Sequence, residues 1–353
     1  MIAPASRLAR LFALSLAGLT AAGPALACTR LVYLGPNSNI VTARSMDWKT
    51  DILTNLWIFP RGATRSGEAG ANSASWTSRY GSVIASGFDI STADGVNEAG
   101  LAANVLWLTE AGYPAYDGKT PGLSIALWAQ YMLDNFATVA EAVAALEKQP
   151  FVVRTANLPD GETLATLHLS LSDPTGDSAI VEYLDGKQVI HHGRQYQVMT
   201  NSPSFDQQLA LASYWKEIGG AMLPGTNRAA DRFVRASYYV GAVAQQPEPD
   251  KAVAAAISII RNVSVPYGLT SVDAPYVSST RWRSAVDHKR RLYFFESALT
   301  PNTFWVDLKQ IDFSPETGKV KKLELGPSQD ITYDGDATPQ FKESAPFHFM
   351  GVN

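Results

Sequence analysis

The order of strand-like and helix-like text along this chain predicts an α+β layered domain, with two sheets and helices packed outside them. Two observations carry that prediction. Strands and helices come in blocks (strands, helices, strands, helices, strands) and do not alternate singly as a doubly wound sheet requires. No glycine-rich phosphate loop stands between a strand and a helix.

Residues 1–27 stand apart from the fold. Arg7 and Arg10 precede the apolar run LFALSLAGLTAAG, Pro24 breaks that run, and Ala25-Leu26-Ala27 follows. This is the layout of a cleavable secretory signal, too short to span a membrane. It predicts an exported chain of residues 28–353 with no membrane anchor after cleavage. Apolar residues make up 46% and charged residues 18% of the sequence, as in a globular protein. The net charge of −4 argues against nucleic acid or an anionic membrane as the main partner. No repeat or linker divides the chain.

The first strands are CTRLVYLG, NIVTARSMDW and NLWIFPRG, with Asn37-Ser38-Asn39 as the turn between the first pair. GATRSGEAGANSASWTSRYG reads as an exposed loop with a strand near its end. Asn97-Glu98 and two glycines make a turn within GVNEAGLAANVLWL. Leu123, Leu127, Tyr131 and Met132 recur at helical spacing over 122–148, and Thr138 with Glu141 fits a capping box that starts a second helix. Strands return at LATLHLSLSD, SAIVEYLDG, KQVIHHG and YQVMTNSP. Helical text covers about 206–217, 227–242 and 250–261. The last third is mostly strands, with SPETGK as the turn between the last pair and a final coil over the surface. The five histidines form no metal-ligand motif, and adjacent His191 and His192 point to opposite faces of a strand.

The chemistry concentrates on Cys28, the only cysteine. Cleavage after Ala27 makes it the first residue, with a thiol and a free α-amine on one carbon. Their unperturbed pKa values, about 8.5 and about 7.7–8.0, are close enough for the amine to act as base for its own nucleophile. Two other readings of Cys28 stand beside this one. It could be a lipid-attachment cysteine, although Leu26 stands two rather than three residues before it, or it could be incidental. A hairpin returns Arg44 and Asp47 to the neighbourhood of Cys28. There the carboxylate could orient the amine and the arginine could favour thiolate. The alternative for that pair is an ordinary surface ion pair.

CTR with RSMDW, DGVNEAGL, MTNSP and SSTRW, in this order, resembles the choloylglycine hydrolase family of penicillin V acylases and bile salt hydrolases. The signal resembles the Gram-negative, periplasmic branch, which includes enzymes similar to N-acyl-homoserine lactone acylases. The resemblance implies one αββα four-layer sandwich of the N-terminal-nucleophile type, a homotetramer, and hydrolysis of a small-molecule acyl amide with no metal or cofactor. It also implies roles. Cys28 matches the nucleophile and base, Asp47 the carboxylate on the α-amine, and Arg44 the arginine beside the nucleophile. Asn201 matches the amide that donates to the oxyanion. Arg281 matches the arginine completing the cluster, with Arg283 as a competitor.

Trp107 falls where bile salt hydrolases carry an oxyanion asparagine, so the resemblance assigns that donor to its backbone N–H, with Asn104 as a substitute candidate. Trp48, Trp107 and Met46 are candidates to wall an acyl pocket. Trp76, Tyr80 and Phe88 stand near a loop that could cover the site. The readings left open are a penicillin V or acyl-homoserine lactone acylase, a bile salt hydrolase, and a lipid-anchored periplasmic binding protein.

Overall fold

In the computed structural model the described residues are 28–220, 222–269, 278–300 and 302–352, so the predicted signal at 1–27 lies outside them. In chain order the elements begin β1 (Thr29–Leu34), β2 (Ile40–Trp48), β3 (Leu56–Phe59), β4 (Thr64–Ser66), β5 (Ser75–Thr77), β6 (Ser82–Gly87), β7 (Ser91–Asn97), β8 (Ala102–Trp107) and β9 (Gly122–Ser124). Two helices follow, α1 (Trp128–Asn135) and α2 (Val139–Leu146), then β10 (Val152–Arg154), β11 (Leu167–Ser172), β12 (Ser178–Leu184), β13 (Lys187–His192) and β14 (Val198–Met199). The second helical block is α3 (Phe205–Ile218), α4 (Ala229–Ala242) and α5 (Pro249–Asn262). The chain closes with β15 (Ser279–Asp287), β16 (Leu292–Ser297), β17 (Thr303–Asp307), β18 (Lys321–Leu323), β19 (Gly335–Asp336) and β20 (Lys342–Glu343).

Two large sheets face each other. One has the order β14-β1-β2-β15-β16-β17-β19, the other β13-β12-β11-β8-β7-β6-β3-β18-β20. Helices α4 and α5 cover the first sheet over β1 and β2, while α1 covers the second over β7 and β8. The result is the αββα sandwich. The strands of its middle are covered on both faces: β2 and β8 are buried along their whole length, and β2 carries Arg44 and Asp47 into the interior. One apolar cluster fills the space between the sheets and under α4 and α5; a second lies under α1 and α2.

Three local expectations need correction. The first helix starts at Trp128 rather than 122, because Gly122–Ser124 pairs in parallel with Val152–Arg154. Leu123 and Leu127 are buried there without sharing a helix. The SPETGK turn does not close a hairpin: β17 belongs to the first sheet, whereas β18 pairs with β3 in the second. The final segment also does more than cover the surface, since Phe347 packs edge-on against Trp57 at 4.9 Å. The Thr138 cap stands, with the Glu141 N–H donating to Thr138 Oγ1. The Glu141 carboxylate reaches back to the Ala137 N–H, one residue earlier than a capping box requires.

Candidate active site

Cys28 sits at the head of β1 and is 3% exposed. The pairing of β1 with β2 sets Thr29 opposite Ser45 and Arg30 opposite Arg44, so Met46 stands across from Cys28. Its sulfur lies 3.9 Å from the Cys28 thiol. Side chains alternate along a strand, so Arg44 and Asp47, three apart, leave β2 on opposite faces. The hairpin does bring both to Cys28, one from between the sheets and one from the helix side.

Arg44 points between the sheets and fills a fork. β7 and β8 pair up to Asp94 opposite Asn104. Continuing that register would set Ala93 opposite Val105. Ala93 is instead the extra residue of a β-bulge, since Ala85 pairs with Asp94 and Ser86 with Thr92. The strands part there, and the Arg44 guanidinium donates to both freed carbonyls, Ala93 O at 2.5 Å and Val105 O at 2.8 Å. It also lies 5.1 Å from the Trp282 ring. Beyond the fork comes Trp107. The Leu108 N–H bonds to Thr166 O on the β11 side. By the alternation of an antiparallel ladder, the N–H and C=O of Trp107 face the other way. That carbonyl accepts Asn201 Nδ2 at 2.7 Å.

Asn201 lies in the loop between β14 and α3, and its amide orientation follows from its partners. Oδ1 accepts from Arg232 Nη2 at 2.9 Å and from the Cys28 N–H at 2.5 Å, while Nδ2 faces a carbonyl. A guanidinium only donates and a carbonyl only accepts, so the amide cannot be reversed. One Nδ2 hydrogen is taken by Trp107 and the second has no partner among the described residues.

On the helix side, Asp47 accepts from Thr280 Oγ1 at 2.5 Å and from Ser45 Oγ at 3.2 Å. It does not accept from the Cys28 peptide N–H, which goes to Asn201; the partner expected for it is the free α-amine. In the full chain that nitrogen is a peptide N–H with one hydrogen, and Asn201 takes it; a freed amine has more to give. Burial raises the Asp47 carboxyl to about 6, against the opposing pull of Arg232, Thr280 and Ser45. Burial also raises the Cys28 thiol, and Arg44 offsets this only in part. The pull of Arg44 towards thiolate is thus in the expected direction, and burial outweighs it.

Arg281 is not at Cys28. It is the extra residue of a bulge in β15, where Thr280 pairs with Asp47 and Trp282 with Met46. Its guanidinium is aimed at the carbonyls of Trp48 and Lys49. Arg283 is no substitute: it pairs with Glu296 and Ser264. The arginine that the structure brings to Cys28 is Arg232 on α4, which the sequence reading missed. Fully buried, it donates to Cys28 O at 2.6 Å, to Thr29 Oγ1 and to Asn201 Oδ1. A signal was present. Arg232 and Arg235 interrupt the apolar face of an amphipathic helix beside Phe233 and Val234, where a charge needs a partner.

Asn104 is likewise occupied, donating to Asp94 and accepting from Ser170. Trp48, Trp107 and Met46 do line one cavity with Cys28, of about 90 Å³. The two indoles lie 5.4 Å apart, and Phe88 meets Trp48 edge-on at 6.5 Å. Trp76 is elsewhere, bonded to Asp134 under α1. A larger groove of about 660 Å³ between α3 and α4 holds none of these groups.

The arrangement offers a thiol with its own backbone nitrogen, two unspent N–H donors and an apolar recess. Comparison with known proteins agrees with amide chemistry. A family model, linear amide C–N hydrolases of the choloylglycine hydrolase family, matches residues 28–322. The chain is 59% identical to a penicillin V acylase of Pectobacterium atrosepticum, over 96% of each chain. It is 25% identical to a bile salt hydrolase/transferase of Lactiplantibacillus plantarum, over 58% of this chain and 69% of that one. The structure of penicillin V acylase from Agrobacterium tumefaciens superposes with a TM-score of 0.87 at 67% identity, covering 92% of this chain and all of that one. A conjugated bile acid hydrolase from Clostridium perfringens shares the fold, with a TM-score of 0.71 at 21% identity over 84% of this chain and 96% of that one.

Proposed function

The chain belongs to the choloylglycine hydrolase family and is a linear amide C–N hydrolase, and on that premise we propose that Cys28, once freed at its nitrogen, cleaves the acyl amide of penicillin V. The observation that carries this is the placement of one residue: the Cys28 nitrogen meets Asn201 while its thiol opens on a recess walled by Trp48 and Trp107. A flat aryl acyl group suits two tilted indoles.

The amine takes the thiol proton and the sulfur attacks the amide carbonyl. The second Asn201 N–H and the Trp107 N–H receive the oxyanion. The amine then protonates the departing 6-aminopenicillanic acid, leaving a thioester, and water activated by the same amine releases phenoxyacetate. Asp47 would hold the free amine and Arg232 the Cys28 carbonyl. Every step uses groups of this chain, so the proposal includes no metal or cofactor.

N-acyl-homoserine lactones are a second substrate class, favoured by the apolar lining of the recess. Bile salts are disfavoured by the occupied Asn104 and by the indole at 107. A lipid on Cys28 does not suit a thiol buried between two sheets. Export to the periplasm and assembly as a homotetramer complete the proposal; fractionation and sedimentation test them.

Intact mass and amine release, measured together on protein exported to a bacterial periplasm, test the central claim. An unmodified Cys28 start with activity lost in Cys28→Ala is expected. A different or acylated start, with amine release unchanged in that variant, would overturn it.

A further inference from the structure

Helix α3 begins without its own cap. Ser204 is its N-cap residue, yet the serine side chain makes no capping hydrogen bond. The N–H of Phe205, the first helical residue, instead donates to both carboxylate oxygens of Glu182, each at 3.1 Å. Glu182 comes from β12 and is completely buried. A carboxylate against the positive end of a helix is favourable, and it satisfies an N–H that the helix itself cannot.

The carboxylate has one further partner, His168 on β11, whose Nδ1 lies 3.0 Å from Glu182 Oε1. His168 is also completely buried, and its Nε2 has no partner among the described residues. Leaving a ring nitrogen unpaired in the interior is costly, so the one bond that His168 makes is the one its presence serves.

Both residues sit where the oxyanion donors are assembled. Asn201 precedes the start of α3 by one short loop. Gln208, in the first turns of α3, donates to the carbonyls of Asn201 and Pro203 and accepts from Thr200 Oγ1. Where α3 starts therefore decides where Asn201 lies. On the other side, His168 pairs with Leu106, and its neighbour Leu167 pairs with Trp107. The Trp107 carbonyl is the group that holds Asn201 Nδ2.

We propose that His168 and Glu182 are a positioning dyad for the oxyanion site: His168 orients Glu182, Glu182 pins the start of α3, and the pinned turn holds Asn201 against Trp107. The inference rests on the oxyanion role proposed for Asn201. Neither residue touches the substrate, and no proton changes hands.

The test compares Glu182→Leu, Glu182→Gln and His168→Phe with Asn201→Ala in the processed enzyme. kcat and KM for penicillin V are read beside inhibition by phenoxyacetaldehyde, whose adduct with the thiol carries the oxyanion, and by phenoxyacetate, whose binding is competitive. Glu182→Leu is expected to lower kcat about 30-fold or more with KM within about twofold, and to weaken the aldehyde but not the acid. Glu182→Gln keeps an oxygen for the Phe205 N–H and should stay within about threefold of wild type. Combining Glu182→Leu with Asn201→Ala should be no slower than Asn201→Ala alone, because both act through one group. Should Glu182→Leu fail to fold, His168→Phe removes the orienting bond at similar volume and should lower kcat about tenfold. Additive losses in the double variant, or wild-type kcat in a folded His168→Phe, would overturn the dyad. Wild-type kcat in Asn201→Ala would instead remove the oxyanion reading, and the dyad with it.

Discussion

Arg232 and Cys28 meet at 2.6 Å although 204 residues separate them along the chain. The guanidinium holds the carbonyl of Cys28 and the oxygen of Asn201 together, so it fixes the proposed nucleophile relative to the proposed oxyanion donor. A planar fork with several donors does this where an ammonium could not.

Arg232 should therefore matter and Arg281 should not. Arg232→Lys is expected to lower kcat for penicillin V about 100-fold, the loss typical of one misplaced transition-state donor. Arg281→Ala should stay within about threefold, since that side chain meets the carbonyls of Trp48 and Lys49 and the ring of Tyr267. Steady-state kinetics of the two variants decide the matter, and the reverse order would return Arg281 to the site.

Asp47 sets stability against activity. Its carboxyl is raised to about 6 by burial, so the folded state holds the proton more tightly than the unfolded chain. Between about pH 4 and pH 6 the unfolded chain has lost that proton and the fold has not, so this group's contribution falls as pH rises, by about 3 kcal/mol in all. Asp47→Asn should melt higher than wild type at pH 7 while losing amine release. A lower melting temperature for Asp47→Asn at pH 7 would contradict the sign.

His288 acts in the opposite direction. Burial pushes its imidazole down to about 4, and it sits neutral between the hydroxyl of Thr42 and the carbonyl of Gly100. The unfolded chain binds its proton first as the solution is acidified. This contribution is complete above about pH 6.5 and is lost toward pH 4, about 3 kcal/mol in total. Denaturant unfolding of His288→Gln at pH 7 and pH 4.5 should show a smaller loss on acidification than wild type. An unchanged loss would assign the acid sensitivity elsewhere.

Trp48 sets the depth of the recess. Trp48→Ala should enlarge a cavity of about 90 Å³, and the loss of a buried indole should lower stability by about 3–5 kcal/mol. The expected kinetic result is a change of preference: a KM for penicillin V raised about tenfold, with a smaller loss for dodecanoyl-homoserine lactone. Equal losses on both substrates would place the acyl group elsewhere.

Much of this was legible in the sequence, for reasons of distance along the chain. Arg44, Met46 and Asp47 reach Cys28 through one hairpin, whose register follows from a short connection at 35–39 and strand alternation. The helices at 205–218, 229–242 and 249–262 carry periodic apolar faces that read directly. Text of one period misled where pairing overrode it, as at Gly122–Ser124.

The sequence by itself determined the layered fold, the strand that follows Cys28, the hairpin residues beside it and the aromatic walls at 48 and 107. Only the tertiary structure decided which arginine serves Cys28, which way Asn201 faces, and that burial outweighs Arg44 at the thiol. A bulge at position 93 admits Arg44 between two strands, and another at 281 turns that arginine away. One extra residue in a ladder leaves composition and periodicity almost unchanged, yet it redirects a side chain. Its effect exists only once the neighbouring strand is in place.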